Sequence, residues 1–162
     1  MRLALFATLA TLAAAPALSQ DAQVDFGGLR QDTSLPVEVA ADKLQVNQAD
    51  GTATFSGNVL VTQGEMRLEA AEILVNYAQG GEAGRIRSLE ATGGVTLVNG
   101  AEAAESQSAT YDIDAGTVEM TGDVVLTQGP AALSGDALSI DLATGTGTMQ
   151  GRVRTVFQPS GQ

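Results

Sequence analysis

The sequence predicts an all-β fold built from repeated strand units, and three observations carry that prediction. A Gly-x-Val pattern recurs four times: Phe55-Ser56-Gly57-Asn58-Val59, Ala91-Thr92-Gly93-Gly94-Val95, Met120-Thr121-Gly122-Asp123-Val124 and Met149-Gln150-Gly151-Arg152-Val153. Their starts are 36, 29 and 29 residues apart. A longer repeat lies over the short one, for residues 51–64 match residues 116–129 at a constant offset of 65. The register continues through Leu68 with Leu133, Ile73 with Leu138, Val75 with Ile140 and Tyr77 with Leu142. Between the glycines, apolar and polar residues alternate with the period of a strand that buries one face. Short units with one apolar side cannot bury it alone and must stack into a shared core.

The chain opens on Arg2, an apolar run to Leu12, Pro16 and then Ala17-Leu18-Ser19. This is the pattern of a signal peptide over residues 1–19, cut before Gln20, with a cut after Ala22 as the alternative. A retained membrane anchor competes with it, but residues 1–18 give only the minimum length for a spanning helix and Pro16 interrupts them. A polar, flexible leader follows over residues 20–35. One β-domain is expected over residues 36–157, and residues 158–162 form a tail.

Within that domain, Val37 and Val39 alternate, as do Leu44 and Val46, before Asp50-Gly51, a hairpin signal because Gly accepts the positive φ of a tight turn. Ala53, Phe55, Gly57, Val59 and Val61 share the next face, and Gln63-Gly64 turns the chain. Met66, Leu68 and Ala70 continue the apolar side. Ile73, Val75 and Tyr77 resume it after a phase change near Ala71, which predicts a bulge or corner. Residues 79–84 read as a loop. Ile86, Leu89, Val95 and Leu97 carry the following strands to Asn99-Gly100. Residues 101–110 have helical propensity but no large apolar anchor, so a small-residue strand is expected. Tyr111 and Ile113 lead into the turn at Asp114-Ala115-Gly116. A last strand over 148–157 places Met149, Val153 and Phe157 on one face and Arg152 and Arg154 on the other.

Cleavage after Ser19 leaves seven Lys or Arg against 19 Asp or Glu, a formal charge of −12, and there is no His or Cys anywhere. Nucleic acid is a poor partner for such a surface, since phosphate binding needs clustered positive charge. Nucleophilic triads lack their base, thiolate chemistry lacks its sulfur, and zinc lacks its usual ligands. Gly93-Gly94 reads as a turn or packing pair rather than a phosphate loop. Asp112 and Asp114 are too sparse for a calcium loop, and no cleft marks a carboxylate pair with Asp136 or Asp141. No catalysis, metal or cofactor is expected. The broad apolar face has two readings that periodicity does not separate. It is either the core of an ordinary sandwich or the lining of an open trough able to take acyl chains.

The stretch from Val39 through Asp42-Lys43-Leu44-Gln45-Val46, the turn at Asp50-Gly51, residues 54–64 and residues 68–77 together resemble the OstA-like family. Tyr111-Asp112 and residues 121–129 extend the resemblance, which spans about residues 36–157. It implies a slightly open, twisted β-jellyroll of folded-over antiparallel sheets. It also implies a periplasmic, non-catalytic carrier of lipopolysaccharide between the inner and outer membranes. The implied groove residues are Val39, Leu44, Val46, Phe55, Val59, Val61, Leu68, Ile73, Val75, Leu97, Met120, Val124, Leu126, Leu138 and Ile140. Implied partners are lipopolysaccharide itself, an LptC-like inner-membrane protein, an LptD-like outer-membrane protein and further copies of the chain joined head to tail through strand edges near residues 36–46 and 151–157. Arg85, Arg87, Arg152 and Arg154 are candidates for screening the cargo's phosphates from the net negative charge. The alternatives are a membrane-anchored LptC-like transfer component and a structural β-repeat protein with a solid core.

Overall fold

The computed structural model describes residues 22–25, 29–79 and 84–157; the predicted signal peptide, residues 80–83 of the predicted loop and the tail lie outside them. The strands are β1 (Ala22–Asp25), β2 (Glu38–Ala40), β3 (Lys43–Asn47), β4 (Thr52–Gln63), β5 (Met66–Tyr77), β6 (Ile86–Asn99), β7 (Glu102–Asp112), β8 (Thr117–Gln128), β9 (Ala131–Asp141), β10 (Thr146–Gln150) and β11 (Arg154–Phe157). They form one antiparallel sheet in the order β1-β10-β9-β8-β7-β6-β5-β4-β2, with β3 also on β4 and β11 also on β9. Residues 102–112 are a strand, as the absence of a large apolar anchor predicts. The sheet is open, twisted and not closed into a barrel, in line with the expected fold class.

The first three Gly-x-Val motifs bend long strands in the middle. Gly57 and Asn58 take φ of +79° and +45° in succession, and the β4–β5 register shifts between Ser56 and Val59. Gly tolerates this conformation and Asn is among the few other residues that visit it. The same shift occurs at Gly93-Gly94 in β6 and Gly122-Asp123 in β8, while Gly151-Arg152 separates β10 from β11. The predicted single closing strand over 148–157 is therefore two strands joined at a bend.

Residues opposite the bends are single: Asp42, Ala71, Gln107 and Asp136 each face a Gly-x pair. This arithmetic keeps one face inside. In β4, β6 and β8 the inward residues step by four across the bend, from Phe55 to Val59, Ala91 to Val95 and Met120 to Val124. On β5, β7 and β9 they step by three, from Ala70 to Ile73, Ser106 to Ala109 and Gly135 to Leu138. The phase change expected near Ala71 is one of these corners, and β5 shifts register against β6 there. A crease thus runs across the sheet and folds it into two layers with apolar faces together.

Side chains tie the crease on three of its four bends. Asn58 Nδ2 donates to Asp42 Oδ2 at 2.8 Å, and Gln107 Nε2 donates to Asp123 Oδ2 at 2.9 Å. Arg152 Nε donates to Asp136 Oδ1 at 3.1 Å beside a closer Nη2 contact, and this guanidinium holds the Asp136 carboxyl below the usual carboxylate range. At the fourth bend Gly93 packs directly on Ala71.

Candidate functional site

Eleven of the fifteen residues expected to line a groove are packed between the two layers. Val59, Val61, Leu68, Ile73, Val75, Leu97, Met120, Val124, Leu126, Leu138 and Ile140 are all at most 1% exposed. Val39 and Phe55 are partly buried against them. Leu44 and Val46 are 53% and 58% exposed. Their cross-strand partners are Phe55 and Ala53, so they sit on the inward face of the edge strand, where no further strand covers them. Phe157 stands opposite Ala131 on the last strand and is 73% exposed. The inner apolar face is filled by its own side chains along its length and uncovered at both ends of the sheet.

Opposite the crease the two layers end in rows of hairpins. One rim carries the turns at Gly51, Gly116 and Gly145; the other carries Gly64, Gly100 and Gly129. Residues 29–35, within the stretch read as a flexible leader, run between these rims and are packed there. Leu29 is fully buried in the core and Gln31 is 9% exposed. The Gln31 backbone N–H donates to Leu142 O at 3.0 Å on the first rim, while its Nε2 donates to Gln63 O at 2.7 Å on the second. Gln63 Nε2 donates in turn to Thr33 O and Leu35 O, at 3.0 and 2.8 Å. Asn99 Nδ2 reaches Arg30 O at 3.4 Å. This segment is a strap across the slot.

Beneath the strap, the Tyr111 hydroxyl donates to Gln63 Oε1 at 2.7 Å, a bond that crosses from one layer to the other. Burial pushes the Tyr111 phenol up to about 12. The neutral form is thus favoured on folding, so stability falls as pH rises from about 10, where the unfolded tyrosine ionises, towards 12. Tyr111→Phe is expected to remove that alkaline fall. At neutral pH it leaves Gln63 Oε1 without its donor and lowers stability by about 1–3 kcal/mol, read by urea unfolding.

The four arginines do not make one patch. Arg85 lies beside β6 and pairs with Asp114, and Arg152 pairs with Asp136 at the crease. Arg87 and Arg154 are exposed on different strands. Among the described residues no group of three His, Cys, Asp or Glu side chains is placed to hold a metal ion. Asp112 instead caps its own turn, its Oδ1 accepting from the Ala115 N–H at 2.9 Å.

Sequence reasoning passed over the polar residues just inside the second rim: Gln63, Asn99, Glu102 and Gln128. Three of them precede the hairpin glycines Gly64, Gly100 and Gly129, at the same 36- and 29-residue spacing as the bends. They read as turn residues because Gln-Gly and Asn-Gly are ordinary turn signals. The signal that distinguishes them is parity: each falls in the inward set of its strand.

The family model described as "LptA/(LptD N-terminal domain) LPS transport protein" matches residues 38–146. An uncharacterised protein of Rhizobium meliloti is 31% identical over 114 residues, 67% of this chain and 61% of that protein. The lipopolysaccharide export system protein LptA of Escherichia coli K12 is 35% identical over 54 residues, 33% of this chain and 29% of its own length. The chain thus spans less than two thirds of these relatives. In fold it is similar to the crystal structure of LptH from Pseudomonas aeruginosa, described as the LptA-homologous periplasmic component of the lipopolysaccharide transport device. The TM-score is 0.70 at 18% identity, over 80% of this chain and 99% of that one.

Proposed function

The chain belongs to the family of LptA and LptD amino-terminal-domain lipopolysaccharide-transport proteins, and from that membership we propose that it is a non-catalytic periplasmic carrier that holds lipopolysaccharide by its acyl chains between the two layers. The observation that carries this reading is the inward face itself: apolar along its length, and uncovered at Leu44, Val46 and Phe157. Acyl chains enter at an uncovered end and advance by parting the layers, each Å² of apolar surface removed from water contributing about 25 cal/mol. The phosphorylated sugar stays outside in water, with exposed Arg87 and Arg154 as its screening candidates. The partners are an LptC-like protein on the inner-membrane side, an LptD-like protein on the outer-membrane side and further copies joined through the β2/β3 and β11 edges, whose outer backbone groups offer a template for strand addition. Residues 1–19 act as the export signal, and residues 36–157 as the carrier domain.

The closed packing of the interior is the observation that favours the other reading, a structural repeat protein with a solid core. Equilibrium binding to lipopolysaccharide of the purified chain beginning at Gln20 separates them. The carrier reading expects saturable binding that Leu44→Glu together with Val46→Glu weakens by about tenfold or more, since two exposed apolar contacts are lost and neither is needed for the core. Unchanged binding in this variant would remove the groove's amino-terminal end from the account. No binding by the unmodified chain would leave the solid-core reading.

A further inference from the structure

One buried side-chain oxygen has no hydrogen-bond partner among the described residues. Glu102 lies at the start of β7, 6% exposed, on the inward row beside Ala104 and Ser106. Its cross-strand neighbours are Asn99 on β6 and Gln128 on β8. Gln128 Nε2 donates to Oε1 at 2.8 Å. Oε2 is buried without a hydrogen-bond donor, and it is the one such side-chain atom among the described residues. A carboxylate takes donors on both oxygens, and leaving one dry is unfavourable unless something else supplies the missing donor.

Its position says what that donor is attached to. Glu102 stands at the boundary between the apolar interior, which begins at Ala104 and Leu97, and the polar rim of Gln63, Asn99 and Gln128. The strap reaches Gln63 and Asn99 but makes no hydrogen bond to Glu102. A lipid whose chains lie inside and whose head lies outside passes its chain–head junction across this level.

We propose that the Glu102 carboxylate is the hydrogen-bond acceptor for an amide N–H or hydroxyl at the junction between the acyl chains and the sugar of the bound lipid. This rests on the carrier reading and adds a selectivity to it: acylated amino sugars are favoured over lipids whose chains are joined by donor-free esters. The carboxylate repels phosphate, which keeps the phosphorylated end of the head away from this level.

The test uses the chain from Gln20 onward with two probes, lipid A and dimyristoyl phosphatidic acid. The second has acyl chains and a phosphate but no N–H or hydroxyl where its chains are joined. Glu102→Met is expected to weaken lipid A binding about tenfold, as for loss of a hydrogen bond to a charged group. Phosphatidic acid binding stays within about twofold, and the thermal midpoint falls only slightly, because the dry Oε2 is removed while Gln128 Nε2, which loses its acceptor, is only part-buried and can turn to water. Glu102→Gln keeps the shape but removes the charge, and is expected to give a smaller loss in the same direction, since a neutral amide oxygen is the weaker acceptor. Equal losses for both lipids, or none for either, overturn the assignment. So does a lipid A loss that chelation of divalent cations abolishes, since the carboxylate then acts through a metal. Failure of the unmodified chain to bind either probe sinks the carrier reading and the assignment with it.

Discussion

Gly93→Ala is expected to lower the unfolding free energy by about 3 kcal/mol. Gly93 has φ of +83°, which alone disfavours a side chain by about 1–2 kcal/mol. A Cβ there stands 2.6 Å from the Cβ of Ala71 on the neighbouring strand. Ala71 has no rotamer to swing away, so the two strands must separate there. At Gly57, Gly122 and Gly151 the added atom likewise meets a Cβ that the backbone fixes, that of Asp42 at 3.0 Å, Gln107 at 2.8 Å and Asp136 at 2.7 Å, so alanine is costly at those bends too. Gly94→Ala is the internal comparison: its φ is +86° but nothing lies within 4 Å, so only the backbone strain of about 1–2 kcal/mol remains. Urea unfolding of the two variants reads the difference. Equal losses would show that close strand approach at the crease contributes nothing.

Leu29→Ala is expected to cost about 2–4 kcal/mol, the usual range for emptying a fully buried leucine site. Leu29 precedes β2 by nine positions and belongs to no strand, yet it is 0% exposed within the core cluster. The strap holding it is fixed by hydrogen bonds to both rims, so the cavity cannot collapse by a simple shift of a hairpin. Leu35→Ala, at 39% exposure on the same strap, is expected to cost less than about 1 kcal/mol. If both substitutions are neutral in urea unfolding, the strap is not part of the cooperative fold.

The contrast between these two sites shows what the sequence makes legible. The glycine pattern, the alternation and the 65-residue repeat are local or periodic, and they lead directly to an open antiparallel sheet with Val59, Met120 and Ile140 facing inward. They do not distinguish a bend from a boundary, because Gly-x between inward residues looks the same in either. Only the step of four across Gly57-Asn58, set against the step of three across Ala71, reveals the crease. Leu29 was not legible at all. It falls between Gly28 and Arg30 outside any alternating run, and its burial depends on Gln31 meeting Leu142 and Gln63, partners 111 and 32 residues away. Leu44 and Val46 pair with Phe55 and Ala53 on the inward face, but their exposure follows from standing on the edge strand, and alternation carries no information about edges. Arg85 and Arg152 read as surface cations because Asp114 and Asp136 lie too far along the chain for local spacing to pair them.

The interior's packing and its proposed occupancy by lipid are compatible only if the layers part while the crease holds. Three polar clamps and the Gly93–Ala71 contact tie the crease, whereas the opposite side is spanned by a strap and by the Tyr111–Gln63 bond between layers. On the carrier reading, that asymmetry makes the crease the hinge side and the strap the opening side.

Photo-crosslinking of lipopolysaccharide to the purified chain from Gln20 onward tests this most directly, with the reactive side chain placed in turn at Phe55, Val75, Met120 and Ile140. Thr54, on the outward face of β4, is the control. The carrier account predicts adducts at several of the four inward positions and none at Thr54. Adducts at Thr54 alone, or at no position in a folded protein under conditions where a known carrier labels, would contradict it.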